Sequence, residues 1–343
     1  MAEFDAFLLL GFGGPEAPEE VMPFLSNVTR GRGIPDERLV DVAEHYQHFG
    51  GVSPINAQNR ALLQALGTDF RGHGIDLPLY WGNRNWAPYL VDTVREMRDA
   101  GVRRALVLAT SATGGYSSCR QYREDLAAAR AELGADAPEL AKLRHFFNHP
   151  GFVDANVSAV RAALTELPTE LRDNARLVFT AHSVPSRADE QAGPDGHLYS
   201  RQQRETARLV ADAVRGPGAA FDLVWQSRSG PPQMSWLEPD INDHLTALAG
   251  AGERAVVVCP TGFVSDHLEV LWDLDTEAAE TAERLGLGFV RAATAGTHPS
   301  FVAAVRELVL EQLDAAPRLA VGEFGPAADL CPWSAGCCTA RAS

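Results

Sequence analysis

No apolar run in this 343-residue chain approaches the ~20 residues that a membrane-spanning helix needs. The opening MAEFDAFLLLGFGGP also lacks the basic flank of a secretory leader. The expectation is a cytoplasmic protein with no transmembrane segment. Positive charge is short as well. Thirty Lys and Arg stand against 45 Asp and Glu, leaving a net charge of −15 and a pI of about 5.1. That balance argues against binding nucleic-acid phosphates and suits cationic ligands. Cysteine is scarce, with Cys119, Cys259, Cys331, Cys337 and Cys338 the only five. In a reducing compartment such a set does not form structural disulfides. Three of them crowd into CPWSAGCCTARAS, the last thirteen residues, a tail too short for a core. Such a cluster points to metal or redox chemistry, with three incidental thiols as the plain alternative.

What is present is a globular composition, 45% hydrophobic and 22% charged, and enough length for two domains. Short apolar runs such as Ala6–Leu10 end in glycine-rich turns and alternate with helical stretches. That alternation predicts an α/β fold, two similar Rossmann-like domains each with a parallel sheet flanked by helices. Residues 1–150 form the first domain and 151–325 the second, whose last helix is free to pack back on the first; residues 326–343 form the cysteine-bearing tail.

The two halves repeat. RLVFTAHSVP matches FLLLGFGGP, DLVWQSRSGPP matches LYWGNRNWAP, AVVVCPTGFVSDHLEVL matches ALVLATSATGGYSS, and THPSFVAAVRELVLEQL matches NHPGFVDANVSAVRAAL. The order is kept, and Trp225 and Arg228 pair with Trp81 and Arg84. Two duplicated α/β units leave a cleft at the carboxyl ends of their strands. Phe12 and His182 hold equivalent places there and can flank a flat ligand, the ring by stacking and the imidazole by exchanging protons near neutral pH.

Val258 to Glu277 couples a buried strand to an acidic helix. In an α-helix, positions four apart lie about 40° apart in rotation, so Glu269, Asp273 and Glu277 form a curving ladder. Three stacked acids either face water or receive a metal ion, a proton or a cationic group. His267 stands near the top of the ladder.

TAHSVP, Thr180 to Pro185, and GFVSDHLEVLWDLDTE, Gly262 to Glu277, resemble ferrochelatases, which insert ferrous iron into a porphyrin. The likeness extends to the first strand and turn, to FGGVSPINAQ and to HPGFV and HPSFV, and so covers nearly the whole chain. It implies the chelatase fold with its cleft, His182 as the catalytic base, and Glu269 as the acid beside it. Asp273 and Glu277 then lead Fe²⁺ inward or protons outward, while His267 orients or packs the helix start. Phe12 stands where coproporphyrin-using relatives often carry tyrosine, so it serves as a stacking wall. Tyr122, Ser53 and His45 fall where relatives contact porphyrin carboxylates, with Arg30 and Arg32 of RGRG as helpers.

The tail resembles that of ferrochelatases carrying a [2Fe–2S] cluster. Cys331, Cys337 and Cys338 would supply three thiolates and Cys119 the fourth, with Cys259 the alternative and a tail zinc site another. The polar stretch EAPEEVMPFLSNVTRGRG favours coproporphyrin III over protoporphyrin IX as the substrate. A cobalt or nickel chelatase of another tetrapyrrole and a non-enzymatic porphyrin-binding redox sensor stay open. A monomer that transiently meets the next enzyme of haem synthesis, without nucleic acid, completes the expectation.

Overall fold

The computed structural model describes residues 4–31, 35–229, 233–327 and 338. Each half builds a four-stranded parallel sheet. The first contains β1 (Ala6–Gly11), β2 (Leu79–Asn83), β3 (Arg104–Ala109) and β4 (Glu139–Lys142), in the order β2-β1-β3-β4. The second contains β5 (Arg176–His182), β6 (Asp222–Gln226), β7 (Ala255–Cys259) and β8 (Gly288–Arg291), in the order β6-β5-β7-β8. The runs are continuously apolar because both sheet faces are covered. Along β1, Phe7 and Leu9 enter one core while Ala6, Leu8 and Leu10 enter the other. Along β5, Leu177 and Phe179 likewise part from Val178.

Strand pairing corrects one part of the repeat. Gly11 lies opposite Asn83, and Ala181 lies opposite Trp225. The counterpart of Trp225 is therefore Asn83 rather than Trp81, and that of Arg84 is Gln226 rather than Arg228. Backbone bonding agrees: the Asn83 N–H donates to the Pro88 carbonyl at 2.7 Å, and the Trp225 N–H to the Pro239 carbonyl at 2.9 Å. The two indoles lie two positions out of step along the strand, so their likeness does not follow the register.

The closing helix of each half packs on the other's sheet. Pro150–Glu166 sends Val153, Val157 and Val160 into the core around Phe179, while Pro299–Leu313 sends Phe301, Val305 and Leu308 into the core around Phe7. Both helices start at a histidine cap followed by proline. His149 Nδ1 accepts the Gly151 N–H and His298 Nδ1 accepts the Ser300 N–H. The helices touch so closely that a Cβ on Gly151 would sit 2.2 Å from the Ser300 carbonyl oxygen. The halves are thus interlocked.

The acidic segment departs from its expected winding. A turn at Leu268–Val270 leads into a π-helix at Leu271–Ala278. With i→i+5 bonds, the residue four places on falls short of a full turn instead of overshooting it. The ladder is therefore built, but it curves in the opposite sense. A second π-helical turn, Tyr116–Arg120, follows β3 in the first half, nearer to its strand than Leu271–Ala278 is to β7.

Candidate active site

His182 ends the central strand of the second sheet, so its ring projects from the carboxyl edge into the cleft. Its Nδ1 lies 2.5 Å from the Ser183 carbonyl oxygen, which can only accept. Nδ1 therefore carries a hydrogen, and the neutral ring presents Nε2 as its basic atom. That Nε2 lies 3.5 Å from Glu269 Oε2, and the two side chains keep 35% and 46% of their surface open to a ligand. Burial opposes the imidazolium, but the hydrogen bond and charge of Glu269, helped by Ser183 and Asp273, outweigh it and raise the pKa of His182. The site is set to receive a proton at Nε2. Tyr199 Oη donates to the His182 carbonyl at 2.8 Å and fixes the strand end.

The loop after β7 must pass directly against β5 to bring Glu269 there. Gly262 makes this possible: its N–H donates to the Thr180 carbonyl at 3.0 Å, and a Cβ would lie 2.5 Å from that of Ala181. His267 then caps the next turn, its Nδ1 accepting the Val270 N–H at 3.4 Å. Burial holds His267 below the usual imidazole range, and the nearby Glu269 and Asp266 charges only partly offset this.

Asp273 is partly buried, four positions after Glu269. Gln226 Nε2 donates to its Oδ2 at 3.1 Å, Ser227 Oγ bonds the same oxygen, and Gln226 Oε1 accepts from Thr180 Oγ1 at 2.8 Å. Ser227 adopts φ 60°, a left-handed conformation uncommon outside glycine. Burial pushes the Asp273 carboxyl up to about 7, with the charges of Glu269 and Glu277 adding to it and the Ser227 bond and His182 opposing. A carboxyl so poised can hold or release a proton near neutrality. Glu277, at the outer end, carries enough charge to be felt at His45.

The remaining expected residues divide into groups. His45 stacks flat on Trp272 of the π-helix, with ring centres 3.9 Å apart and planes 7° apart, and burial lowers its pKa. Phe12 shares a cluster with Phe24, Tyr46 and Leu268, the neighbour of Glu269, so it borders the same cleft. Arg84 lies over the rings of both Phe12, at 5.9 Å, and Tyr122, at 4.6 Å, and is ion-paired to Asp125. Ser53 is buried under the first turn, where its N–H donates to the Pro15 carbonyl at 2.8 Å. Arg30 is exposed after the helix Val21–Val28; Arg32 lies outside the described residues.

Cys119 and Cys338 are both buried, and Arg120 Nη1 donates to the Cys338 carbonyl at 3.1 Å. Cys331 and Cys337 lie outside the described residues. Cys259 sits in β7, its thiol donating to Asn156 Oδ1 at 3.8 Å, and burial pushes it up to about 12. Among the described residues, no three His, Cys, Asp or Glu side chains converge as a ready metal site, and no helix is long and apolar enough to cross a membrane. Sequence reasoning passed over Gln226, Ser227, Arg84 and Trp272 as site residues.

Comparison with known proteins places the chain in a family. Sequence relatives named coproporphyrin III ferrochelatase include one from Streptomyces coelicolor, 58% identical over 99% of this chain and 94% of its own. Another from Nocardia farcinica is 59% identical over 97% and 96%, and one from Mycolicibacterium smegmatis is 60% identical over 92% and 91%. Among solved structures, SirB from Bacillus subtilis with Fe³⁺ covers 91% of this chain and 98% of its own at a TM-score of 0.53 and 12% identity, a likeness of fold. The family described as ferrochelatase matches residues 4–313, a span that contains both sheets, His182 and the whole acidic ladder. With the cleft, the histidine and the ladder in place, the chain belongs to the ferrochelatase family.

Proposed function

We propose that this chain inserts Fe²⁺ into coproporphyrin III to give coprohaem, releasing two protons from the pyrrole nitrogens as the metal enters. The observation that carries this reading is the basic Nε2 of His182 facing Glu269 at 3.5 Å in an open cleft. His182 accepts a pyrrole proton at Nε2, and Glu269 stabilises the imidazolium that forms. Asp273, poised near 7, takes the proton onward or meets the hydrated metal, and Glu277 extends the same line outward. Phe12 walls the ring by stacking, with Arg84 fixed against its face. Exposed Arg30 offers positive charge to the substrate's propionates, and the His45–Trp272 stack offers a neutral ring.

The relatives' shared name favours coproporphyrin III over protoporphyrin IX. Anaerobic metallation assays with each porphyrin test the choice. The account expects coproporphyrin III to lose its free-base spectrum much faster, and a preference for protoporphyrin IX would contradict it.

We also propose a [2Fe–2S] cluster on Cys119, Cys331, Cys337 and Cys338. The Arg120–Cys338 bond, which draws the tail to the turn bearing Cys119, supports the set, and the core packing of Cys259 argues against the alternative fourth ligand. Such a cluster supplies a one-electron redox centre. Brown protein with charge-transfer absorption that is lost in Cys331→Ser is expected; colourless protein saturated with zinc would contradict the proposal.

A further inference from the structure

Arg291 closes β8 and grips the catalytic segment from behind. Its Nε and Nη2 bind the two oxygens of Asp275 at 2.5 and 2.9 Å, and Nη1 binds Asp266 Oδ1 at 3.1 Å. Asp266 is held a second time from the first half of the chain. Its N–H donates to Gln58 Oε1 at 2.8 Å, and Gln58 Nε2 donates back to Asp266 Oδ2 at 3.5 Å. The Arg291 and Asp266 side chains are only 16% and 15% exposed, so water competes weakly for the bond between them, while Asp275 is 35% exposed.

The two anchors bracket Glu269 and Asp273. Asp266 precedes the turn, and Asp275 lies within the eight-residue π-helix, two places after Asp273. Two residues cover roughly half a turn, so the face Arg291 holds is opposite the acid ladder. Runs of i→i+5 bonding are rare and short, so eight residues of it need support from outside the helix. Relaxation to α winding would swing Asp273 and Glu277 the other way around the axis relative to Glu269.

We propose that Arg291 is a positioning residue: by pinning Asp266 ahead of the Glu269 turn and Asp275 within the π-helix, it holds Glu269 and Asp273 in place relative to His182. The kinetic consequence rests on the metallation reading above; the structural consequence does not. Among the described residues, the hydrogen bonds of Arg291 go to Asp275 and Asp266 and not to His182, Glu269 or Asp273, so its effect on the reaction passes through the segment.

The test compares Arg291→Met and Arg291→Lys with Arg176→Met. Arg176 makes a similar two-pronged pair with Asp222, at 2.6 and 2.8 Å, at the start of β5. Hydrogen–deuterium exchange of the peptide spanning 271–278 reads the winding directly. The fluorescence of Trp272, taken as the difference from Trp272→Phe in each background, reads its stacking on His45. Anaerobic Fe²⁺ metallation of coproporphyrin III gives kcat and KM.

Arg291→Met is expected to speed exchange across 271–278, to change the Trp272 signal, and to lower kcat about tenfold or more with the porphyrin KM within about twofold. Arg291→Lys recovers part of each loss, because one ammonium cannot serve both carboxylates in fork geometry. Arg176→Met lowers the melting temperature but leaves the segment and kcat as in the parent protein. If Arg291→Met does not fold, Asp275→Asn provides the same readouts in milder form. Unchanged exchange and kcat in the Arg291 variants, or an Arg176→Met variant that reproduces their losses, would overturn the proposal. If the parent protein itself leaves coproporphyrin III unmetallated, the functional reading fails while the exchange and fluorescence results still decide the clamp.

Discussion

The two halves of this protein place different chemistry on one scaffold. At the end of the central strand the first carries Phe12 and the second His182. At the end of the neighbouring strand the first carries Arg84 and the second Gln226, and each reaches an aspartate on the helical segment after the third strand. In the first half that aspartate, Asp125, is neutralised by a guanidinium which also stacks on Phe12 and Tyr122. In the second half the hydrogen bonds to Asp273 among the described residues come from neutral donors, Gln226 of β6 and Ser227, with the Glu269 and Glu277 carboxylates and His182 nearby. The first half is thereby a closed binding wall, and the second keeps an unneutralised acid beside a base. A neutral partner in place of an arginine separates a structural ion pair from a proton-handling group.

Exchanging that partner should break the contrast most severely. Gln226→Arg brings the first half's ion pair into the second: the guanidinium lowers the Asp273 carboxyl, while burial still opposes it, as at Asp125, which stays above the ordinary range beside Arg84. The expected result is a metallation rate lower by about tenfold to a hundredfold at saturating porphyrin, measured anaerobically.

The pH dependence of stability sharpens the comparison next. The folded-state pKa of Asp273 is raised from 3.8 to about 7, so between those values the folded protein binds more protons than the unfolded chain. Stability from this group is therefore full at low pH and is lost as pH rises through about 7. In Asp273→Asn that loss disappears, so thermal melts should show the variant gaining on the parent from about pH 4 to 7 and holding its gain above. A difference that stays constant with pH would show that Asp273 titrates normally.

Smaller effects follow in the first half. Phe12→Ala removes a stacking wall and should weaken porphyrin binding by up to about tenfold, the scale of an aromatic contact, with kcat little changed. Arg84→Gln, the converse of Gln226→Arg, releases Asp125. It should cost about 1–3 kcal/mol of stability by denaturant melting while kcat for metallation stays within about twofold.

Much of this was legible in the sequence because duplication writes the same signals twice. Apolar runs ending in glycine turns marked β1, β3 and β7, the run before AHSVP marked β5, and the His-Pro pairs marked the interlocking helices. The β2–β6 alignment slipped because Trp81 and Trp225 look alike, although Trp81 turns its Nε1 toward Asn83 while Trp225 occupies Asn83's own place in the sheet. The π winding was invisible, since i→i+4 and i→i+5 bonding draw on the same residues and leave the same apolar spacing over one or two turns. Gln226 and Ser227 escaped notice because neutral amides and hydroxyls carry no signature, and they meet Asp273 only after about 46 intervening positions fold back. Arg291 was silent for the same reason, as its two carboxylates lie 25 and 16 positions before it.

The most direct measurement of the central claim is single-turnover Fe²⁺ insertion into coproporphyrin III, without oxygen, by the parent protein and by His182→Ala. The account predicts rapid metallation by the parent and a loss of about a hundredfold to ten-thousandfold in the variant with porphyrin still bound. Equal rates in the two proteins would contradict it.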